Sequence, residues 1–268
     1  MSNSKQTKDC AFVIVPGSFC KVVFYDALIA HLHEQGHDAR AVELLSANEG
    51  TRQPTATMED DAAHIKDAIT SILDDESNPR NVVVLMHSYG GIPGSSALKG
   101  LGKADRSAQG KCTAVMGIVY MGSFIIPLGQ SVRDVMGDAM PPEYRASQPG
   151  QYLQSVSAEL APLIFNDLQS PEEVAKCYAM MTRQSSDSFD GKLSYEAWKD
   201  IPSVQIVPEK DIIVPTQLQK AMYEQAVAAG GKITQIFLQG IGHAPNFSAT
   251  KLIAEEMVKL AQRQPDGS

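Results

Sequence analysis

Positive charge is in short supply in this sequence. Its 268 residues include 23 Lys and Arg against 31 Asp and Glu, a formal net charge of −8. Phosphate backbones and anionic lipid surfaces repel such a balance, which argues against nucleic acid or a membrane as a partner. Cysteine is nearly absent. Cys10, Cys20, Cys112 and Cys177 share no metal-ligand spacing and are too few for a disulfide scaffold, so no metal site is expected and the thiols are expected to stay reduced. Also missing is any apolar run of the ~20 residues needed to span a bilayer. Residues 1–9 are polar and lack the apolar stretch of a secretion signal, so a cytoplasmic location is expected. Aromatic residues are only 6% of the chain, but hydrophobic residues make up 43%, enough for one large buried core.

What the chain does contain is an alternation of short apolar runs and helix-periodic segments. Strand-like runs occupy residues 11–15, 39–44, 82–85, 115–121, 204–207 and 233–238. Helical periodicity covers residues 25–35, ended by Gly36, and a segment from Met58 in which Ala62, Ile65, Ala68, Ile69 and Ile72 recur at helix spacing. This alternation predicts an α/β fold, a mostly parallel sheet with helices on both faces. Residues 100–111 are polar and read as a mobile loop without function. Residues 129–200 fit no strand pattern and are interrupted by Pro141, Pro142, Pro149, Pro162 and Pro171. They are expected to form a helical insertion within a core domain of residues 1–128 and 201–268.

One motif carries chemistry. Met86-His87-Ser88-Tyr89-Gly90-Gly91 follows directly on the apolar run Val82-Val83-Val84-Leu85. A sharp strand-to-helix elbow strains the central serine and lifts its hydroxyl clear of the main chain, with helix N–H groups close by. Gly90 satisfies the need for a small residue two places on, whereas Met86 stands where such elbows usually begin with glycine. A base is available at His243, in the turn Gly240-Ile241-Gly242-His243 after the run 233–238. An acid is available after the run 204–207, where Glu209 and Asp211 share one loop and chemistry alone does not separate them. No carboxylate follows the run 115–121, since the chain continues Gly122-Ser123-Phe124-Ile125-Ile126-Pro127. Asn246-Phe247-Ser248 has the form of a glycosylation sequon but lies beside His243, and no glycan is expected there.

With these segments in place, the chain resembles the α/β-hydrolase fold superfamily, and within it the small cofactor-free branch that includes salicylate-type methylesterases and hydroxynitrile lyases. The likeness is carried by VPGSF at 15–19, HSYGG at 87–91, VYMGSFIIPLGQS at 119–131, FND at 165–167, RQSSDSF at 183–189, WKDIPS at 198–203, EKDIIVP at 209–215 and GHAPNFS at 242–248. The resemblance implies a catalytic Ser88, Asp211 and His243, taken in the chain order of that family, and oxyanion-hole N–H donors at Ser18 and Tyr89. It also implies a helical cap inserted after the sixth strand, over residues 129–200, and no cofactor.

Substrate choice is expected to sit in the cap. Met136, Met140, Leu160, Leu163, Ile164, Phe165, Met180 and Met181 are more apolar than a solvated insertion needs. Phe19, Phe165, Met180 and Met181 are the expected pocket residues. Few charges lie among them, so the expected partner is a neutral, apolar small molecule, aromatic or polyketide-like, rather than a sugar or phosphate. A homodimer is compatible with the sequence. Two reactions stay open. One is hydrolysis of a carboxylic ester or lactone through an acyl-enzyme. The other is a lyase, cyclase or condensation step with His243 as general base, although Ala244 follows where the plant hydroxynitrile lyases place a cation.

Overall fold

The computed structural model describes residues 10–262. Its strands are numbered in chain order. Six of them form one parallel sheet: β1 (Cys10–Val15), β2 (Asp38–Ala41), β4 (Asn81–His87), β5 (Val115–Met121), β8 (Ser203–Pro208) and β9 (Ile233–Leu238), in the order β2-β1-β4-β5-β8-β9. Three short strands, β3 (Ala47–Asn48), β6 (Tyr152–Leu153) and β7 (Arg183–Ser185), pair antiparallel in the order β3-β7-β6.

Central strands covered on both faces have no solvated side, so they read as unbroken apolar runs rather than alternating ones. In β1 and β4, Val13, Val15, Val84 and Met86 face one core, where Ile65, Ile69 and Ile72 of helix α2 pack. Phe12, Ile14, Val83 and Leu85 face the other, against Leu28 and Leu32 of α1 and Ile253, Met257 and Leu260 of α5. These helices are α1 (Asp26–Glu34), α2 (Met58–Leu73), α3 (Gly91–Ala97), α4 (Thr216–Ala228) and α5 (Thr250–Gln262). The start of α2 is fixed by a capping box: Thr57 accepts from the Asp60 N–H at 3.2 Å and donates its own N–H to the Asp60 carboxylate at 2.9 Å.

The structure corrects several expectations. The insertion follows β5, which is the fourth strand of the main sheet and not the sixth. The ordinal came with the family likeness, whereas in the described residues only β8 and β9 follow the insertion. Between β5 and β8 lie short helices, among them Val132–Met136, Pro142–Arg145, Ala161–Ile164 and Pro171–Ala179, but also β6 and β7. Strands of two and three residues are too short to show alternation, and β3, which pairs with β7, lies more than a hundred residues upstream. The strand expected at 39–44 pairs only over Asp38–Ala41. The expected loop at 100–111 contains a helix, Lys103–Ala108, anchored by Arg106. That guanidinium is buried and donates to Asp74 at 2.7 and 3.2 Å and to the Thr113 carbonyl at 2.9 Å. Hydrogen bonds from Arg106 and Lys111 hold the Asp74 carboxyl at about 2. Among the described residues no helix is long and apolar enough to cross a membrane.

Candidate active site

Ser88 stands at the carboxyl end of β4 with φ at 52°, in the left-handed region that costs an ordinary residue ~1–2 kcal/mol. Its carbonyl is tied down by the Ser123 hydroxyl at 2.8 Å and the Phe124 N–H at 3.3 Å. The elbow is tight enough that a Cβ on Gly90 would press into the Pro16 carbonyl oxygen and come within 2.8 Å of that of Val15. Met86, in the place of the usual glycine, is accommodated because α3 offers Gly94 opposite its thioether.

Two more loops leave the same edge of the sheet, the place where ligands bind in open parallel sheets. The β8 loop carries Asp211 and the β9 loop carries His243. The His243 Nδ1 lies 2.9 Å from Asp211 Oδ2, and its Nε2 lies 3.0 Å from Ser88 Oγ. A carboxylate only accepts, so the imidazole proton sits on Nδ1 and Nε2 accepts from the serine hydroxyl. Asp211 is itself immobilised: Oδ1 accepts from the N–H groups of Ile213 and Val214 at 2.9 and 3.0 Å, and Oδ2 accepts from Gln219 Nε2 at 2.8 Å. Glu209 is exposed and caps the Gly240 N–H instead, at 2.7 Å. Geometry therefore separates the two acids that share this loop. Ser88, Asp211 and His243 are 4%, 4% and 6% exposed.

Sequence reasoning missed the groups that brace this chain. His87 Nε2 donates to the His243 carbonyl at 2.9 Å, which leaves Nδ1 to accept from Tyr25 Oη at 2.7 Å, and Tyr25 Oη accepts the Gly17 N–H at 2.9 Å. Burial, aided by the neighbouring His243, lowers the pKa of His87 to about 3. The imidazole is a fixed neutral strut between the β1 loop and the His243 loop. Its position next to the serine was the available signal. Tyr25 and Gln219 had none: Tyr25 meets His87 from 62 positions away, and Gln219 reaches Asp211 only because the β8 loop packs against the start of α4. Asn246 is buried and its Nδ2 donates to the Phe24 carbonyl at 2.8 Å, so the sequon nitrogen is engaged in the fold.

A cavity of about 170 Å³ opens over Ser88 and His243. Its size exceeds the ~10–15 Å³ of a single water by an order of magnitude. Phe19 and Met181, both expected there, line it, as do Met136, Met140 and Ile164. Phe165 and Met180 do not. Phe165 is spent in a ring cluster with Phe24 and Phe247, and Met180 packs beneath the β1 loop, where its carbonyl accepts the Lys21 N–H at 3.3 Å. Leu160 and Leu163 point outward, 47% and 48% exposed. Tyr89, Tyr144 and Phe189 complete one aromatic wall with Phe19. Ser18 and Tyr89 both border the cavity, and neither N–H makes a hydrogen bond to another described residue.

A serine, an imidazole and a carboxylate in relay at the carboxyl edge of a parallel sheet define an α/β protein equipped for nucleophilic chemistry. The chain belongs to the alpha/beta hydrolase family, whose model matches residues 12–256, and it is an enzyme of that family. It is 30% identical over 249 residues to "Probable hydrolase R7" of Phoma sp., a match covering 93% of this chain and 97% of that protein. Among solved structures, pyrethroid hydrolase PytH superposes with a TM-score of 0.71 at 18% identity, covering 96% and 99% of the two chains. Polyneuridine aldehyde esterase does so with a TM-score of 0.69 at 19% identity, covering 94% and 99%. These likenesses show the α/β-hydrolase fold over nearly the whole chain.

Proposed function

We propose that this α/β-hydrolase cleaves a carboxylic ester or lactone of a neutral, apolar small molecule through an acyl-enzyme. The observation that carries the reading is the relay Asp211, His243, Ser88 on a strained serine under an apolar cavity. Ser88 Oγ attacks the carbonyl carbon while His243 Nε2 takes its proton. The oxyanion is received by the N–H groups of Ser18 and Tyr89, each such donor being worth about 10²–10³ in rate. Collapse expels the alcohol, which takes its proton from His243, and leaves the acyl group on Ser88. Water then attacks with His243 again as base, and the acid departs. Asp211 holds the imidazole tautomer and stabilises its cation. Residues 129–200 act as the cap that selects the acyl and alcohol groups. No cofactor enters this sequence of steps, and the cytoplasm is the proposed location.

Incubation with a fluorophosphonate tests the reading: intact mass should show one adduct per chain on Ser88, absent in Ser88→Ala. An unlabelled wild type, or an equally labelled variant, would overturn it. A second reading, lyase, cyclase or condensation chemistry with His243 as base, is supported by the burial of Ser88 and His243 beneath mostly apolar walls, a setting that favours a non-hydrolytic step. Short aryl esters separate the two. A burst followed by steady turnover supports hydrolysis, whereas an acyl-enzyme that forms and stalls supports the second reading.

A further inference from the structure

One buried carboxylate has no part in the relay. Asp61 stands in the first turn of α2, fully buried, on the side of the helix that carries Ile65, Ile69 and Ile72 into the core. Its Oδ1 accepts the Ser46 N–H at 3.0 Å, and its Oδ2 accepts from the Ser46 hydroxyl and, at 2.8 Å, from Tyr89 Oη. It has no cationic partner among the described residues, and burial raises its pKa to about 6. The chain of bonds runs on. Gln184 of β7 donates from Nε2 to Ser46 Oγ and to Ser188 Oγ, both at 2.7 Å, and its Oε1 accepts the Phe19 N–H at 3.1 Å. Among the described residues, Phe19 is the other non-glycine residue with positive φ, at 63°, and it adjoins Ser18.

A carboxylate among apolar side chains is expensive to bury, and a residue kept for packing alone would be apolar. This one instead connects, through fully buried groups, the two residues that flank the oxyanion position: Tyr89 directly, and Phe19 by way of Ser46 and Gln184. Oxyanion donors act only when they lie 2.7–3.1 Å from the developing charge, and misplacement by about 1 Å costs on the order of 100-fold in rate. We propose that Asp61 is a positioning residue which, by holding Tyr89 and Phe19 from behind the cavity wall, sets the spacing of the Ser18 and Tyr89 N–H donors. This rests on the serine-hydrolase reading above.

The test compares Asp61→Asn, Tyr89→Phe and Gln184→Met with the wild type on a short p-nitrophenyl ester, after titration of working sites with the fluorophosphonate. Titration counts competent molecules, so a merely structural role lowers the count and leaves the rate per site alone. A positioning role lowers kcat per titrated site about 10- to 100-fold with KM within threefold, and weakens a trifluoromethyl ketone, which mimics the tetrahedral oxyanion, by the same factor. Because the bonds form one chain, Tyr89→Phe combined with Gln184→Met should fall short of the product of the single effects. Tyr89→Phe removes a single oxygen and so keeps the test open if Asp61→Asn does not fold. Rates per site within twofold of wild type in every folded variant would overturn the positioning role while leaving the hydrolase reading intact. Absence of any wild-type adduct would overturn both.

Discussion

One buried histidine should contribute a stability that acid removes. His87 is fully buried and neutral, its pKa lowered to about 3, whereas in the unfolded chain an imidazole titrates near 6.5. Between those values the unfolded state binds a proton that the folded state refuses. Stability from this group is therefore complete above about pH 6.5 and falls by ~1.4 kcal/mol per unit below it, reaching a loss of about 2.7 kcal/mol near pH 4.5. Asp61 works in the opposite sense. Its pKa is raised to about 6, so the folded state takes up that proton first, and the group returns about 2 kcal/mol over the same interval. The wild-type profile alone would look nearly flat. The contribution of His87 appears when it is removed: in His87→Gln the amide can still accept from Tyr25 and donate to the His243 carbonyl, but it does not titrate. Urea unfolding of both proteins between about pH 7 and pH 4.5 should show the variant less stable at neutral pH and the gap closing by roughly 2–3 kcal/mol in acid. A gap constant to within about 0.5 kcal/mol would refute the claim that His87 is a neutral strut.

Asp211→Asn should lower kcat by about 10³–10⁴ on an activated ester, because the amide cannot hold the productive tautomer, whereas Glu209→Gln should change it by less than about threefold. The reverse ranking would move the acid by two residues. Met181→Ala should raise KM for a bulky aryl ester about tenfold by removing a cavity wall, on the order of a kcal/mol of apolar contact, while Met180→Ala shifts the thermal midpoint and leaves KM alone. Gly90→Ala should leave little soluble protein and no activity in the remainder, since its Cβ has no room beside the Pro16 carbonyl; circular dichroism and ester turnover read both effects.

The relay was legible in the sequence because each member is announced locally. An apolar strand followed by a polar turn places a residue at the carboxyl edge of a parallel sheet, and β4, β8 and β9 each do so. The choice between Glu209 and Asp211 was not legible from residue chemistry, because it depends on which carboxylate the Ile213 and Val214 N–H groups and Gln219 converge upon. The pocket was half legible. Met180 and Met181 are adjacent and chemically identical, yet Met181 lines the cavity while Met180 packs half-buried against the core away from it. Arg106 and its helix were hidden inside a polar stretch because the partner Asp74 precedes it by 32 positions. Asp61, like His87, carried a sign in the sequence: an acid four residues before Ile65, on a helix stripe otherwise apolar.

The two non-glycine residues with positive φ among the described residues, Phe19 and Ser88, lie in the turns that follow the neighbouring strands β1 and β4, and both line the cavity. At both positions the backbone alone prefers glycine, and at both the side chain present is the one the site uses, a wall ring and a hydroxyl. Mutational drift under selection for folding alone would therefore lead downhill towards glycine at Ser88, whose small side chain packs little, whereas at Phe19 the buried ring offsets the backbone cost. A lineage that retained the family fold but lost its chemistry should record that loss first at residue 88, as a gain in stability.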